Sequence, residues 1–399
     1  MSKHRHTDQE KEKNTAGQKS LTRRDFIGAL GVSSAGLLLG ACGKVKTPVE
    51  PADTVMKAGS AATSFRHPMA VSGGQSRVAT ANVSSYDYQA LRQNIESMFN
   101  ALGGISDIAG GKTVGIKVNL TGGSGSSSVN AYKVPPCELY WTHPEIVKVV
   151  GELAKDAGAS KIYIVEAIYD TKSYTGYGFQ DAADYLGATL IDLNATDPYT
   201  NFVERPVGAG WLIYEKFTQN ALLNDIDCFI SLPKTKQHAL AGFTNAMKNL
   251  VGSTPLGVYG PGQSSRTQQL HGHRKEFEGN SISNLRRVVL DLSNATKIHL
   301  TVSDAIKTTL GSEGPWNRDL VPATFNKLIA SKDVVAAESV SCQAIGFDPM
   351  VADNTGVFKG GINYLRLAQE KGMGTYDLAQ IEVVDATVST GIKERQPLS

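Results

Sequence analysis

Two short runs of β-favouring residues bracket one amphipathic helix between Lys112 and Glu166, and this pattern restricts the chain to few folds. Lys112–Leu120 reads KTVGIKVNL and Lys161–Glu166 reads KIYIVE, both rich in branched apolar residues. Between them, His143–Gly158 (HPEIVKVVGELAKDAG) places Ile146, Val149, Val150, Leu153 and Ala157 at helical spacing. Thr142 is the expected N-cap, Pro144 fits the first helical position and Gly158 closes the helix. Strand, helix, strand of this length is a βαβ unit, in which the crossover makes the two strands parallel.

The alternation continues. Asp181–Leu186 predicts a helix, Thr189–Leu193 a strand and Asp227–Leu232 (DCFISL) another strand. Gly242–Gly252 predicts a helix, Ile282–Asn294 an amphipathic helix, and Ile298–Val302 a strand that ends at Ser303-Asp304. Asp333–Gly346 reads as a helix and Gln380–Val384 as a last strand. The expected fold class is α/β: a mostly parallel sheet flanked by helices in Rossmann-like layers, loop-rich, with enough chain for two lobes. Forty glycines suit its many tight turns. In such sheets chemistry gathers just past the carboxyl ends of strands. Here those positions hold Lys117 and Asn119, Glu166, Lys234 to His238, and Asp304.

Ahead of the α/β pattern, Leu21-Thr22-Arg23-Arg24-Asp25-Phe26-Ile27 precedes an uncharged stretch to Ala41 diluted by four glycines. It is too short for a membrane span, and paired arginines before a weakly apolar run resemble a twin-arginine export signal. Leu39-Gly40-Ala41-Cys42 resembles a bacterial lipobox, which implies a lipid on Cys42. Gly43 follows that cysteine, so sorting to either membrane of a double-membraned cell stays open. The expected organisation is a signal peptide at 1–41, a flexible tether at 42–64 and an α/β domain at 65–399. The expected location is extracytoplasmic, membrane-tethered and facing the periplasm or cell exterior, with the twin-arginine translocase as an export partner.

Net charge is +2 over 399 residues, but residues 1–41 hold seven Lys/Arg against four Asp/Glu. The remainder has 33 basic and 34 acidic residues and no polybasic patch, which argues against a nucleic-acid partner. Cys137, Cys228 and Cys342 lack any CxxC spacing, so no iron–sulfur cluster is expected; buried thiols or a single disulfide both remain open. GxSxG, P-loop, HExxH and GxGxxG motifs are absent, leaving hydrolase, kinase, zincin and nicotinamide assignments without support.

The stretch Leu232–Gly252 (LPKTKQHALAGFTNAMKNLVG) concentrates Lys234, Lys236, His238 and Lys248 between a strand end and the expected helix. With Thr244 and Asn249 they suit a carboxylate, a phosphate or an anionic cofactor; a solvated basic turn is the plain alternative. His271-Gly272-His273 follows a Gly/Pro/Ser/Gln-rich loop. With His238 and Asp304 or Glu313, these histidines would form a divalent-metal site; otherwise they are an exposed loop. Asp304 reads either as a general base or metal ligand, or as a turn cap. His143 reads as structural.

GKTVGIKVNL, THPEIVKVVGELAKDAGASKIYIVEA, ISLPKTKQHALAGFTNAMKNLVG, TVSDAIKTTLGSEGP and SKDVVAAESVSCQAIGFDP together resemble the domain of unknown function 362 family, over roughly Val78 to Val384. Glu338 stands where that pattern has Asp, and the CxxCxxC ferredoxin module of some members is missing. The resemblance implies no established reaction. The spacing His238-x3-Gly242-Phe243-Thr244-x3-Lys248 is also similar to a motif of nickel-pincer lactate racemases, with Asn245-Ala246 in place of Gly-Gly. That likeness implies a shared anion-binding helix only.

The expected function is therefore a basic cleft lined by Lys117, Asn119, His238, Lys248 and Asp304 that binds an anionic small molecule or cofactor. His238, Lys248 and Asp304 are the candidate catalytic residues of a metal-assisted acid/base enzyme. Lys117, Asn119, Lys234, Lys236, Thr244 and Asn249 are the candidate ligand contacts. The rival is a ligand-binding lipoprotein, or a cofactor or assembly factor, with no turnover.

Overall fold

In the computed structural model of the chain, residues 75–124, 132–260, 267–270 and 279–388 are described. The leader, Cys42, the tether, His271 and His273 lie outside them. Among the described residues there are twelve strands: β1 Ser76–Asn82, β2 Thr113–Lys117, β3 Lys161–Glu166, β4 Thr189–Asp192, β5 Phe202–Pro206 and β6 Lys216–Asn220; then β7 Cys228–Ser231, β8 Lys236–His238, β9 Gly242–Thr244, β10 Leu300–Leu310, β11 Val321–Ser331 and β12 Ile381–Asp385. Eight form one sheet in the order β12-β1-β11-β10-β7-β2-β3-β4. Pairing is parallel from β10 through β7, β2 and β3 to β4, and between β1 and β12. It is antiparallel where β11 meets β1 and β10. The mostly parallel α/β sheet expected from the sequence is what forms.

Period-two burial builds two cores from the same strands. Ile162 and Ile164 of β3, Cys228 and Ile230 of β7, and Val114 and Ile116 of β2 face one core. Tyr163, Val165 and Phe229 face the other. Helices Tyr88–Ala101, Pro144–Asp156 and Phe179–Leu186 cover the first face, and Ser281–Ala295, Val334–Ala344 and Tyr364–Glu370 the second. In the helix Pro144–Asp156, Ile146, Val149 and Val150 are fully buried. Each such side chain contributes roughly 1.5–3 kcal/mol of burial energy.

The N-cap of that helix is His143, not Thr142: the His143 Nδ1 accepts from the Glu145 N–H at 3.2 Å. Thr142 turns inward instead, accepting from the Asn119 N–H at 2.8 Å and donating to the Leu232 carbonyl at 2.5 Å. It therefore ties the loop after β2 to the loop after β7.

The helix expected at Gly242–Gly252 is not there as such. Gly242–Thr244 is β9, paired antiparallel with β8 so that Lys236 faces Thr244 and His238 faces Gly242. Only Ala246–Asn249 makes an α-turn, followed by a 3₁₀ turn at Leu250–Ser253. Gly242 has φ +93°, and a Cβ there would lie 2.6 Å from the Val357 carbonyl oxygen. Asn245 is fully extended. The apolar spacing of Phe243, Ala246, Met247 and Leu250 instead reflects burial of a hairpin and a turn in one core. One α-turn is too short to act as an anion-binding helix end.

Asp304 does not end its strand. β10 runs on to Leu310 and pairs with β11, with a register shift between Ala305 and Lys307.

Candidate functional site

The strands β2, β3 and β4 are laid down in one direction across the sheet, and β7 and β10 in the other. The order reverses between β2 and β7, whose last residues Lys117 and Ser231 are register partners. Such a reversal opens a crevice at the carboxyl ends of the strands. Here Asn249 sits across it, its Nδ2 donating to the Lys117 carbonyl at 3.2 Å and to Ser231 Oγ at 3.1 Å.

Beneath lies an ion pair removed from water. Lys117 Nζ stands 2.7 Å from Glu166 Oε2, with the two side chains 0% and 2% exposed. The ammonium also donates to the Val118 carbonyl at 2.6 Å and to Asn249 Oδ1 at 3.2 Å. Glu166 accepts in addition from the Leu120 N–H at 3.0 Å. A buried pair repays its desolvation only when its remaining donors and acceptors are met, as these are. Gly252 is required alongside, because a Cβ there would come within 1.9 Å of Glu166 Oε1.

Above the pair is a cavity of about 120 Å³ whose walls include Asn119, Glu166, His238, Thr244, Lys248 and Asn249, with Tyr169, Glu313 and Trp316 around it. His238 Nδ1 accepts from the N–H groups of Leu240 and Ala241 at 3.1 and 3.2 Å. The neutral ring consequently carries its proton on Nε2. Burial, then the nearby Lys248, Lys236 and Arg286, hold this imidazole well below its ordinary pKa. Lys236 is fully buried behind the wall, with Nζ donating to the Tyr140 carbonyl and reaching Thr121 Oγ1 at 3.4 Å. Burial pulls its pKa well down, opposed by Glu313 and aided by Lys248 and Lys234. Asn119 is 6% exposed, and its Oδ1 has no hydrogen-bond partner among the described residues. A buried acceptor left in that state costs about 1–3 kcal/mol, which a ligand donor would recover.

Of the residues singled out from sequence, Asn119, Glu166, His238, Thr244, Lys248, Asn249 and Glu313 thus come together, and Lys117 lies directly behind them. Asp304 and Lys234 do not join them. They form a second buried pair, 2.5 Å apart, with Tyr86 hydroxyl 3.0 Å from Asp304 Oδ1 and Lys234 also donating to the Cys137 and Lys307 carbonyls. Burial pushes the Asp304 carboxyl up and the Lys234 amine down, and their contact opposes both shifts. His143 stacks on Tyr86 at 3.7 Å between ring centroids, sealing this cluster. Asp304 therefore locks the loop after β7 to β10 and does not face the cavity. Trp316, Tyr169, Thr121 and Gly252 were not singled out from the sequence, although Gly-Pro-Trp after Glu313 is a local signal of an exposed aromatic.

Metal and cofactor fits follow from the donors present. Among the described residues no three His, Cys, Asp or Glu side chains group as metal ligands. The cavity is somewhat smaller than the roughly 150 Å³ that holds one benzene in an engineered protein cavity, so only the anionic head of a larger group would lie within it. Cys137, Cys228 and Cys342 are free, buried thiols, and burial pushes Cys228 up to about 12.

A larger recess of about 760 Å³ opens at the opposite end of the central strands, near the starts of β7 and β10. Several of its polar groups are already used in holding the fold. Arg205 donates to Thr296 Oγ1 and the Ala295 carbonyl, Asn294 to the Val207 carbonyl, and His299 Nδ1 accepts from the Phe229 N–H. The smaller cavity at the strand reversal is the functional candidate.

Comparison with known proteins gives distant relatives. The thylakoid-associated protein sll1697 of Synechocystis sp. is 24% identical over 268 residues, covering 66% of this chain and 73% of that protein. The lactate racemase apoprotein of Thermoanaerobacterium thermosaccharolyticum superposes with a TM-score of 0.38 at 13% identity, over 68% of this chain and 57% of that one. A protein of Thermotoga maritima gives 0.34 at 12%, over 64% and 58%. The chain spans less than two thirds of either solved structure, and at these scores neither lends it a residue role. No helix among the described residues is long and apolar enough to cross a membrane. The family model described as domain of unknown function (DUF362) matches residues 114–343, from the second residue of β2 through the helix Val334–Ala344, and the chain belongs to that family.

Proposed function

We propose that the chain is an exported, lipid-tethered protein that binds a small anion carrying its own hydrogen-bond donor. The observation that carries the ligand class is the wall of the cavity at the strand reversal. It offers a cation in Lys248, a neutral imidazole with its proton on Nε2 in His238, and an acceptor without a described partner in Asn119. Lys248 supplies the charge, His238 and Thr244 donate, and Asn119 Oδ1 takes a proton from the ligand. His238 is a donor in this reading and not a base, because protonating Nδ1 would break two backbone hydrogen bonds.

Hydrogen phosphate carries a donor and sulfate does not, so the two ions test the reading. Isothermal titration should give phosphate binding at least about tenfold tighter than sulfate, and Asn119→Leu should abolish that preference. Equal affinity for the two ions would refute it. Lys248→Met should weaken both ions alike.

Arg23-Arg24 and the lipobox at Cys42 support the tether, and the thylakoid-associated name of the Synechocystis relative is in keeping with a protein that works beside a membrane. Cys42→Ser should move the protein from the membrane to the soluble fraction and stop its labelling by a radioactive fatty acid. Retention in the membrane would sink this half of the proposal.

A further inference from the structure

Trp316 is 57% exposed, the highest value for a large apolar side chain among the described residues. It is nonetheless held still. Its Nε1 donates to Glu313 Oε1 at 2.9 Å, and Glu313 Oε2 in turn accepts from the Ala239 N–H at 3.3 Å. One face of the indole lies against Gly314, where a Cβ would meet ring carbons at 2.2 to 2.5 Å. Any other residue there would displace the ring. An indole this exposed adds little to the buried core, yet here a glycine and a carboxylate fix its orientation beside the cavity.

Size makes the position informative. About 120 Å³ admits the head of a ligand and little more, whereas small-molecule sites commonly span about 300–1,000 Å³. The rest of a ligand held by its anionic head must leave past the residues at the mouth, which include Trp316 and half-buried Tyr169. A ring fixed in advance loses no rotamer freedom on stacking, so a flat ligand benefits most.

We infer that the natural ligand is a planar, π-bearing anion, with its anionic group in the cavity and its ring stacked on Trp316. This rests on the anion-binding reading and adds a requirement for flatness.

Inorganic phosphate, phenyl phosphate and cyclohexyl phosphate separate the two ideas, since the last two match in bulk and differ in planarity. Measured at about pH 5, below the second phosphate pKa near 6 so that both esters keep one P–OH, phenyl phosphate should bind about tenfold tighter than cyclohexyl phosphate and quench tryptophan fluorescence. Trp316→Leu should bring the phenyl-to-cyclohexyl ratio close to one, and Trp316→Phe should keep most of it. Equal binding of the two esters alongside binding of inorganic phosphate would overturn the stacking proposal and leave the anion site standing. Binding of none of the three would overturn both.

Discussion

Replacing Glu166 by Gln tests whether the crevice is built on a charge pair or merely on shape. Gln has nearly the same volume, and its oxygen can still accept from the Leu120 N–H and from Lys117 Nζ, which are 3.0 and 2.7 Å from Glu166 Oε2. What disappears is the countercharge of an ammonium that is 0% exposed. Two routes are then open to the folded variant. Keeping the ammonium charged and unpaired costs about 3–5 kcal/mol. Folding with the amine neutral at pH 7, from an unperturbed lysine value near 10.4, costs about 4–5 kcal/mol at roughly 1.36 kcal/mol per pH unit. The two agree closely enough to predict a loss of about 4 kcal/mol in urea unfolding of the full-length chain at pH 7. If the amine sheds its proton, the unfolded state binds more protons than the folded one. The variant then regains about 2.7 kcal/mol between pH 7 and 9. The double substitution Lys117→Met with Glu166→Leu removes both charges and should recover more than half of the loss. A loss below about 1 kcal/mol, or one that the double substitution fails to relieve, would refute the reasoning.

Three further outcomes follow from the same geometry. Gly252→Ala puts a methyl 1.9 Å from Glu166 Oε1, so it should cost about 1–3 kcal/mol by thermal unfolding and weaken phosphate binding by displacing the carboxylate. Asp304→Asn should cost about 3–5 kcal/mol by leaving Lys234 buried without a countercharge, yet keep the preference for phosphate over sulfate, because that pair does not line the cavity. Burial pushes Glu338 up to about 7. Its folded carboxyl holds a proton that the unfolded chain has already shed, so this group's contribution to stability falls as pH rises from 4.5 to 7. Glu338→Gln should remove a pH dependence on the order of 3 kcal/mol, read as the change in the variant-minus-wild-type stability across that range.

Legibility in the sequence followed periodicity. β3 was expected over its observed residues, and the helices Pro144–Asp156 and Ser281–Ala295 were expected within two residues at each end, because each presents one continuous apolar face. β11 escaped notice because Val321–Lys327 alternates between exposed and half-buried positions and carries Pro322, so its outer half lacks a buried face. β9 fell inside the helix expected at Gly242–Gly252 because Phe243, Ala246, Met247 and Leu250 lie three and four residues apart. Looking just past strand ends located Asn119, Glu166 and His238 among the cavity residues, since β2, β3 and β7 do terminate at the crevice. The same reasoning misplaced Asp304, because β10 finds an antiparallel partner in β11 and continues through it. Trp316 was invisible for another reason: its fixed orientation depends on Gly314 and Glu313, a local geometry that no periodicity encodes.

The central place of β1 in its half of the sheet bears on when the molecule can be completed. Val78 is opposite Ser331 on one side and Val383 on the other, so the first described strand pairs with segments made some 250 to 300 residues later. During synthesis β1 must wait, both edges open, until almost the whole chain has left the ribosome. A chain broken off before β12 would leave β1 with one bare edge. A translocation route that accepts only finished, folded cargo would reject such fragments, while one that threads unfolded chain would carry β1 across long before its partners existed.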